Sequence, residues 1–120
     1  MAKVMVVDDE DELVDMIGMV VEDLGHEVMT ATNGKEAIRA LAGVGAPPAL
    51  IISDVMMPQM NGVDLVRALK ADPRLSHVPV ILMSAAGPPA EYDTADYFIH
   101  KPFDLDALVE LIEQCIADPR

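Results

Sequence analysis

Ala49-Leu50-Ile51-Ile52-Ser53-Asp54 is the stretch on which the reading of this sequence turns. Its unbroken apolar run fits a strand buried on both faces, as in a parallel sheet covered by helices, and not a strand with one wet side. The run then stops on a carboxylate. In open parallel sheets, ligands bind beyond the carboxyl ends of the strands, where the strand order reverses. Asp54 is therefore expected at the functional edge of the sheet.

The same pattern recurs outward from that segment. Val4-Met5-Val6-Val7 ends at Asp8-Asp9, Val80-Ile81-Leu82-Met83 ends at Ser84, and the short run Tyr97-Phe98-Ile99 leads to Lys101-Pro102. Glu27 to Thr32 reads as one more strand. Between these runs, apolar residues recur at helical spacing. Leu13, Val14, Ile17, Val20, Val21 and Leu24 mark one helix, with Gly25 as its stop. Asn33-Gly34 turns into a second, carrying Ala37, Ile38 and Leu41. Leu65, Val66 and Leu69 mark a third, stopped near Asp72-Pro73, and Leu105, Leu108, Ile112 and Cys115 a last one, with Asp104 as N-cap. Strands alternating with helices predict an α/β fold with a parallel sheet. The exception is 87–95, where Gly87-Pro88-Pro89 opposes helix initiation and leaves room for a short helix at most.

The 120 residues suit one domain, 1–120, with no repeat or linker. Aromatics make up only 3%, so the core must come from Val, Ile, Leu, Met and Ala. The formal net charge of -13 argues against nucleic acid and anionic membranes, which need cationic groups. It favours a divalent cation or a basic protein surface. Cys115 is the single cysteine, which excludes an internal disulfide and suggests a buried helix residue in a reducing compartment. No run is long and apolar enough to span a bilayer, and the start lacks a signal-peptide layout, so a cytoplasmic location is expected.

The strand ends carry the chemistry. Asp8, Asp9 and Asp54 would repel one another unless a proton or cation intervened. An oxygen-rich site of this kind suits Mg²⁺. Lys101 supplies a point charge for a phosphoryl oxygen, Ser84 a hydroxyl donor, and an aspartate carboxylate can itself be a nucleophile that forms an acyl phosphate. Together they fit phosphoryl transfer to Asp54.

Four separated segments, Val6-Val7-Asp8-Asp9-Glu10, Asp54-Val55-Met56-Met57-Pro58-Gln59-Met60-Asn61-Gly62, Ser84-Ala85 and Lys101-Pro102-Phe103, resemble in order the signature motifs of response-regulator receiver domains of two-component systems. The resemblance covers essentially the whole chain. It implies a flavodoxin-like five-stranded sheet of order 2-1-3-4-5 with helices on both faces. It implies Asp54 as phospho-acceptor, Asp9 as a direct ligand of Mg²⁺ (or Mn²⁺), Asp8 as a ligand acting through water, and the Met56 carbonyl as a further ligand. Lys101, before a cis Pro102, would contact the phosphoryl group, Ser84 would be the switch hydroxyl, and Phe98 the switch aromatic. The donor would be a sensor histidine kinase or phosphotransfer protein, and the recipient of the signal a downstream protein or fused output domain. Such a domain is a switch and not an enzyme in the ordinary sense, catalysing only its own phosphorylation and dephosphorylation. Against this family pattern the segment from Ser84 to Lys101 is short by roughly five residues, more than a helical turn, so the helix before the fifth strand is expected to be short or irregular.

Plainer readings stand beside these. Asp8 and Asp9 alone are equally readable as an acidic helix start, which is the reading taken for Glu10 to Glu12. Ser84 suits any strand end, and Phe98 can be core as well as switch. Met56, Met57 and Met60 are read as loop packing, and His26, His77 and His100 as exposed. A degenerate receiver, acting as a phosphorylation-independent interaction module, is the alternative function; intact Asp8, Asp9, Asp54 and Lys101 argue against it. An aspartyl phosphatase would carry an acid where Met56 stands. A flavin carrier would not place Asp8 to Glu12 against a phosphate.

Overall fold

Strands form along the apolar runs: β1 (Lys3–Val7), β2 (Glu27–Ala31), β3 (Leu50–Asp54), β4 (Val80–Ser84) and β5 (Tyr97–His100). The computed structural model describes residues 2–57, 59–85 and 96–117. All strand pairs are parallel, in the order β2-β1-β3-β4-β5. Four helices accompany them among the described residues: α1 (Asp11–Asp23), α2 (Gly34–Ala42), α3 (Gly62–Ala71) and α4 (Leu105–Ala117). The expected fold class and strand order are those observed. The short helix expected within 87–95 lies outside the described residues.

The two-residue period of a strand divides the core into two layers. Val4 and Val6 of β1 pack with Val14, Ile17 and Val21 of α1 and with Leu108, Ile112 and Cys115 of α4. Met5 and Val7 point the other way, into Ala37 and Leu41 of α2 and Leu65, Val66 and Leu69 of α3. Each such aliphatic side chain contributes about 1.5–3 kcal/mol by leaving water. Helices on both faces thus explain why the strands read as continuous apolar runs.

Local chemistry sets the ends. The Gly25 N–H donates to the Glu22 carbonyl and the His26 N–H to the Val21 carbonyl, with Gly25 at φ 91. That pattern satisfies the last carbonyls of α1 and needs the left-handed residue that glycine provides. Asn33 and Asn61 cap α2 and α3, accepting from the Glu36 and Asp64 amides at 2.9 Å each. Glu36 in turn accepts from the Thr32 N–H and Oγ1, which holds its carboxyl below the usual range and ends β2 at Ala31, one residue earlier than expected. Asp104 caps α4 as expected, accepting from the Asp106 N–H at 3.1 Å. Asp96 fixes the entry to β5: its carboxylate accepts from the Val80 N–H at 2.8 Å and lies 3.5 Å from Lys70 Nζ on α3.

Candidate functional site

Strand order reverses between β1 and β3, because the chain runs from β1 outward to β2 and then returns to β3 on the other side. The register levels the strand ends there. Val7 pairs with Ser53, Asp54 with Met83, and Ser84 with His100. Asp8 immediately follows β1, Asp54 closes β3, Ser84 closes β4, and Lys101 follows β5. Residues separated by up to 93 positions therefore meet at one edge.

Asp8 and Asp54 are buried and Asp9 is exposed, and each offers a carboxylate oxygen within 4.8 Å of the others. Lys101 Nζ answers them. It donates to Asp8 Oδ2 at 3.1 Å and lies 3.2 Å from Asp54 Oδ1. Ser84 is buried beside them, and its carbonyl accepts from the Lys101 N–H at 2.9 Å, which anchors the turn that carries the lysine. The Lys101-Pro102 peptide bond is cis. Asp9, Glu10, Asp54, Met56, Ser84, Ala85 and Lys101 line a single cleft.

The electrostatics follow from burial and crowding. Burial raises the Asp54 carboxyl above its ordinary 3.8, and the Asp8 charge beside it adds to the rise, while Lys101 opposes it. Burial likewise raises Asp8, against the Glu10 N–H bond and Lys101. Burial works against the Lys101 ammonium too, but Asp8 and Asp54 outweigh it and hold its pKa above 10.5. One lysine thus falls short of compensating three carboxylates. The donor set, all oxygen and net negative, fits a hard divalent cation such as Mg²⁺.

Comparison with known proteins agrees with this geometry. Residues 4–113 match the sequence profile of the response regulator receiver domain. The chain belongs to the receiver-domain family of two-component response regulators. It is 37% identical over 117 residues to the chemotaxis protein CheY1 of Helicobacter pylori strain J99, covering 92% of this chain and 94% of that protein. Among solved structures, the signal receiver domain of a histidine kinase from Syntrophus aciditrophicus superposes with TM-score 0.88 at 32% identity, covering 98% of this chain and 91% of that one. The response regulator TrrA from Thermotoga maritima, solved in complex with Mg²⁺ and BeF, superposes with TM-score 0.84 at 26% identity, covering 96% and 99%.

The receiver cleft gathers six of the residues named from sequence: Asp8, Asp9, Asp54, Met56, Ser84 and Lys101. Phe98 lies below it, opposite Leu82 in the β4–β5 register, partly buried against the core layer of α2 and α3. Three expectations change. Met57 and Met60 pack against the core, but the Met56 side chain is 69% exposed, so it is not loop packing. His26 is half-buried, and its Nδ1 accepts from the Ala2 N–H at 3.1 Å. Glu10 is more than a helix start: its carboxylate lies 3.4 Å from Lys101 Nζ. Sequence held no signal for that contact, because it joins residues 91 positions apart. Among the described residues, no helix is long and apolar enough to cross a membrane.

Proposed function

We propose that this receiver domain accepts a phosphoryl group on Asp54 from the phosphohistidine of a sensor histidine kinase or phosphotransfer protein, in a Mg²⁺-dependent reaction, and later hydrolyses it. The observation that carries the reading is the position of Asp54: a buried carboxylate at the switch point of the sheet, next to Asp8 and Asp9 and paired at 3.2 Å with Lys101.

In the transfer, an Asp54 carboxylate oxygen attacks phosphorus, the N–P bond of the donor breaks, and the imidazole leaves with the electron pair. Asp8, Asp9, Asp54 and the Met56 carbonyl would hold the Mg²⁺. When bound, the cation supplies positive charge against the phosphoryl oxygens. Lys101 exchanges its pairing with the free Asp54 carboxylate for the new phosphoryl group, and Ser84 donates to a second oxygen. Hydrolysis reverses the outcome at Asp54: a water oxygen bonds to phosphorus, the acyl phosphate P–O bond breaks, and inorganic phosphate leaves.

Recruitment of Ser84 would bias Phe98 and the surface near β4 and β5, a population shift that a downstream protein or fused output domain reads. The excess of acidic charge supports a protein recipient and not nucleic acid. A cytoplasmic setting accords with a kinase donor.

The test is phosphorylation by acetyl phosphate with and without Mg²⁺, followed by mass mapping, with Asp54→Asn as control. Label on Asp54 that needs Mg²⁺ is the expected result. Label that persists in Asp54→Asn assigns the acceptor elsewhere and sinks the reading.

A further inference from the structure

The loop after Asp54 is held by two helices that do not adjoin each other in sequence. The first residue of a helix has an amide with no intrahelical acceptor. In α3 that residue is Gly62, whose N–H donates to the Val55 carbonyl at 2.9 Å. In α2 it is Gly34, whose N–H donates to the Met60 carbonyl at 3.1 Å. Both glycines are buried, and neither has room for a side chain. A Cβ on Gly62 would collide with the Asp54 carbonyl. A Cβ on Gly34 would meet Met60 Cγ at 2.7 Å and its carbonyl oxygen at 2.8 Å.

Between the two clamps stand Met56 and Gln59. Gln59 has φ 67, a left-handed conformation that is unfavourable for a side chain with a Cβ by roughly 1–2 kcal/mol. Such a residue persists only where its surroundings determine it. Here the next residue, Met60, is tied to α2 and packs against the core. The N-terminus of α2 is itself rigid, because Asn33 caps Glu36 and Glu36 reaches back to Thr32.

We propose that Gly34 is a positioning residue for the acceptor loop. Through the Met60 carbonyl, α2 holds the loop in the shape that presents the Met56 carbonyl to the carboxylate cluster. This role rests on the Mg²⁺-dependent reading given above. Gly34 touches neither the carboxylates nor the phosphoryl group; it acts through Met60.

Three variants and one spectrum test it. Gly34→Ala should weaken Mg²⁺ binding, followed by isothermal titration, by about tenfold, the low edge of the effect of outer-shell partners. Arg74→Ala, which loosens the far end of α2, should lower thermal stability and leave Mg²⁺ affinity unchanged. Gly43→Ala, with only an ordinary contact to the Ala40 carbonyl, should alter neither. In wild-type protein, amide NMR during a Mg²⁺ titration should move Gly34 together with Val55, Met56 and Met60; this holds even where Gly34→Ala does not fold. A folded Gly34→Ala with wild-type affinity overturns the proposal, as does a Gly34 amide that stays still while Met56 moves. Wild-type protein in which no amide responds to Mg²⁺ sinks the metal reading and this role with it.

Discussion

Lys101 Nζ stands between two buried carboxylates, 3.2 Å from Asp54 Oδ1 and 3.1 Å from Asp8 Oδ2. It comes from the end of β5, with β4 separating that strand from β3. The metal-free site thus holds one ammonium group between two buried carboxylates.

Removal of that cation should be felt before any chemistry. Lys101→Met leaves Asp8 and Asp54 uncompensated, and should destabilise the metal-free protein by about 1–3 kcal/mol at pH 7.5, the scale of a buried group left without its partner. Urea unfolding reads the loss, which should shrink as pH falls and the carboxyls, raised above 3.8, take up protons. On the proposed function, acetyl phosphate should label this variant at least about tenfold more slowly, since no ammonium group would then face the phosphoryl oxygens.

Asp54→Asn works in the opposite direction. It removes one of three crowded charges while Lys101 keeps Asp8 as a partner. Metal-free stability at pH 7.5 should rise by about 0.5–2 kcal/mol, the scale on which optimised charges stabilise a fold. A drop in melting temperature would show that the cluster is not strained by its charge.

Stability should depend on pH with a sign set by the same groups. Asp8 and Asp54 both titrate above 3.8 in the folded chain. The folded state therefore binds more protons than the unfolded chain in the window above 3.8, and stability falls as pH rises through the raised values. Lys101, raised above 10.5, keeps its contribution through neutral pH and loses it only beyond that. Metal-free protein should melt higher near pH 5 than at pH 7.5. Saturating Mg²⁺ should stabilise more at pH 7.5 than at pH 5, because protons and cation compete for the same oxygens. Calorimetry at the two pH values, with and without Mg²⁺, checks both slopes.

Arg74 offers a test away from the cleft. Its Nη2 donates to the Leu41 carbonyl at 2.6 Å and the Val44 carbonyl at 3.1 Å, closing the C-terminal end of α2. Arg74→Ala should cost about 1–2 kcal/mol of stability with no change in labelling of Asp54. Arg74→Lys should recover only part, since a point charge does not reproduce the fork.

Sequence alone was sufficient for the strand pattern, the two-faced burial, the cap residue Asp104, and the convergence of Asp8, Asp9, Asp54, Ser84 and Lys101 on one edge. Period and capping chemistry are local, and the convergence follows from the fold-level rule that ligands gather beyond the carboxyl ends of parallel strands. Only the tertiary structure decided that Glu10 reaches Lys101, that Asp96 ties β5 to Lys70 and Val80, that Met56 turns its side chain to solvent, and that Gly34 holds Met60. Each of those depends on which loops lie side by side once β1 and β3 meet at the switch point. That proximity is set by packing between distant segments, and no local pattern of residues encodes it.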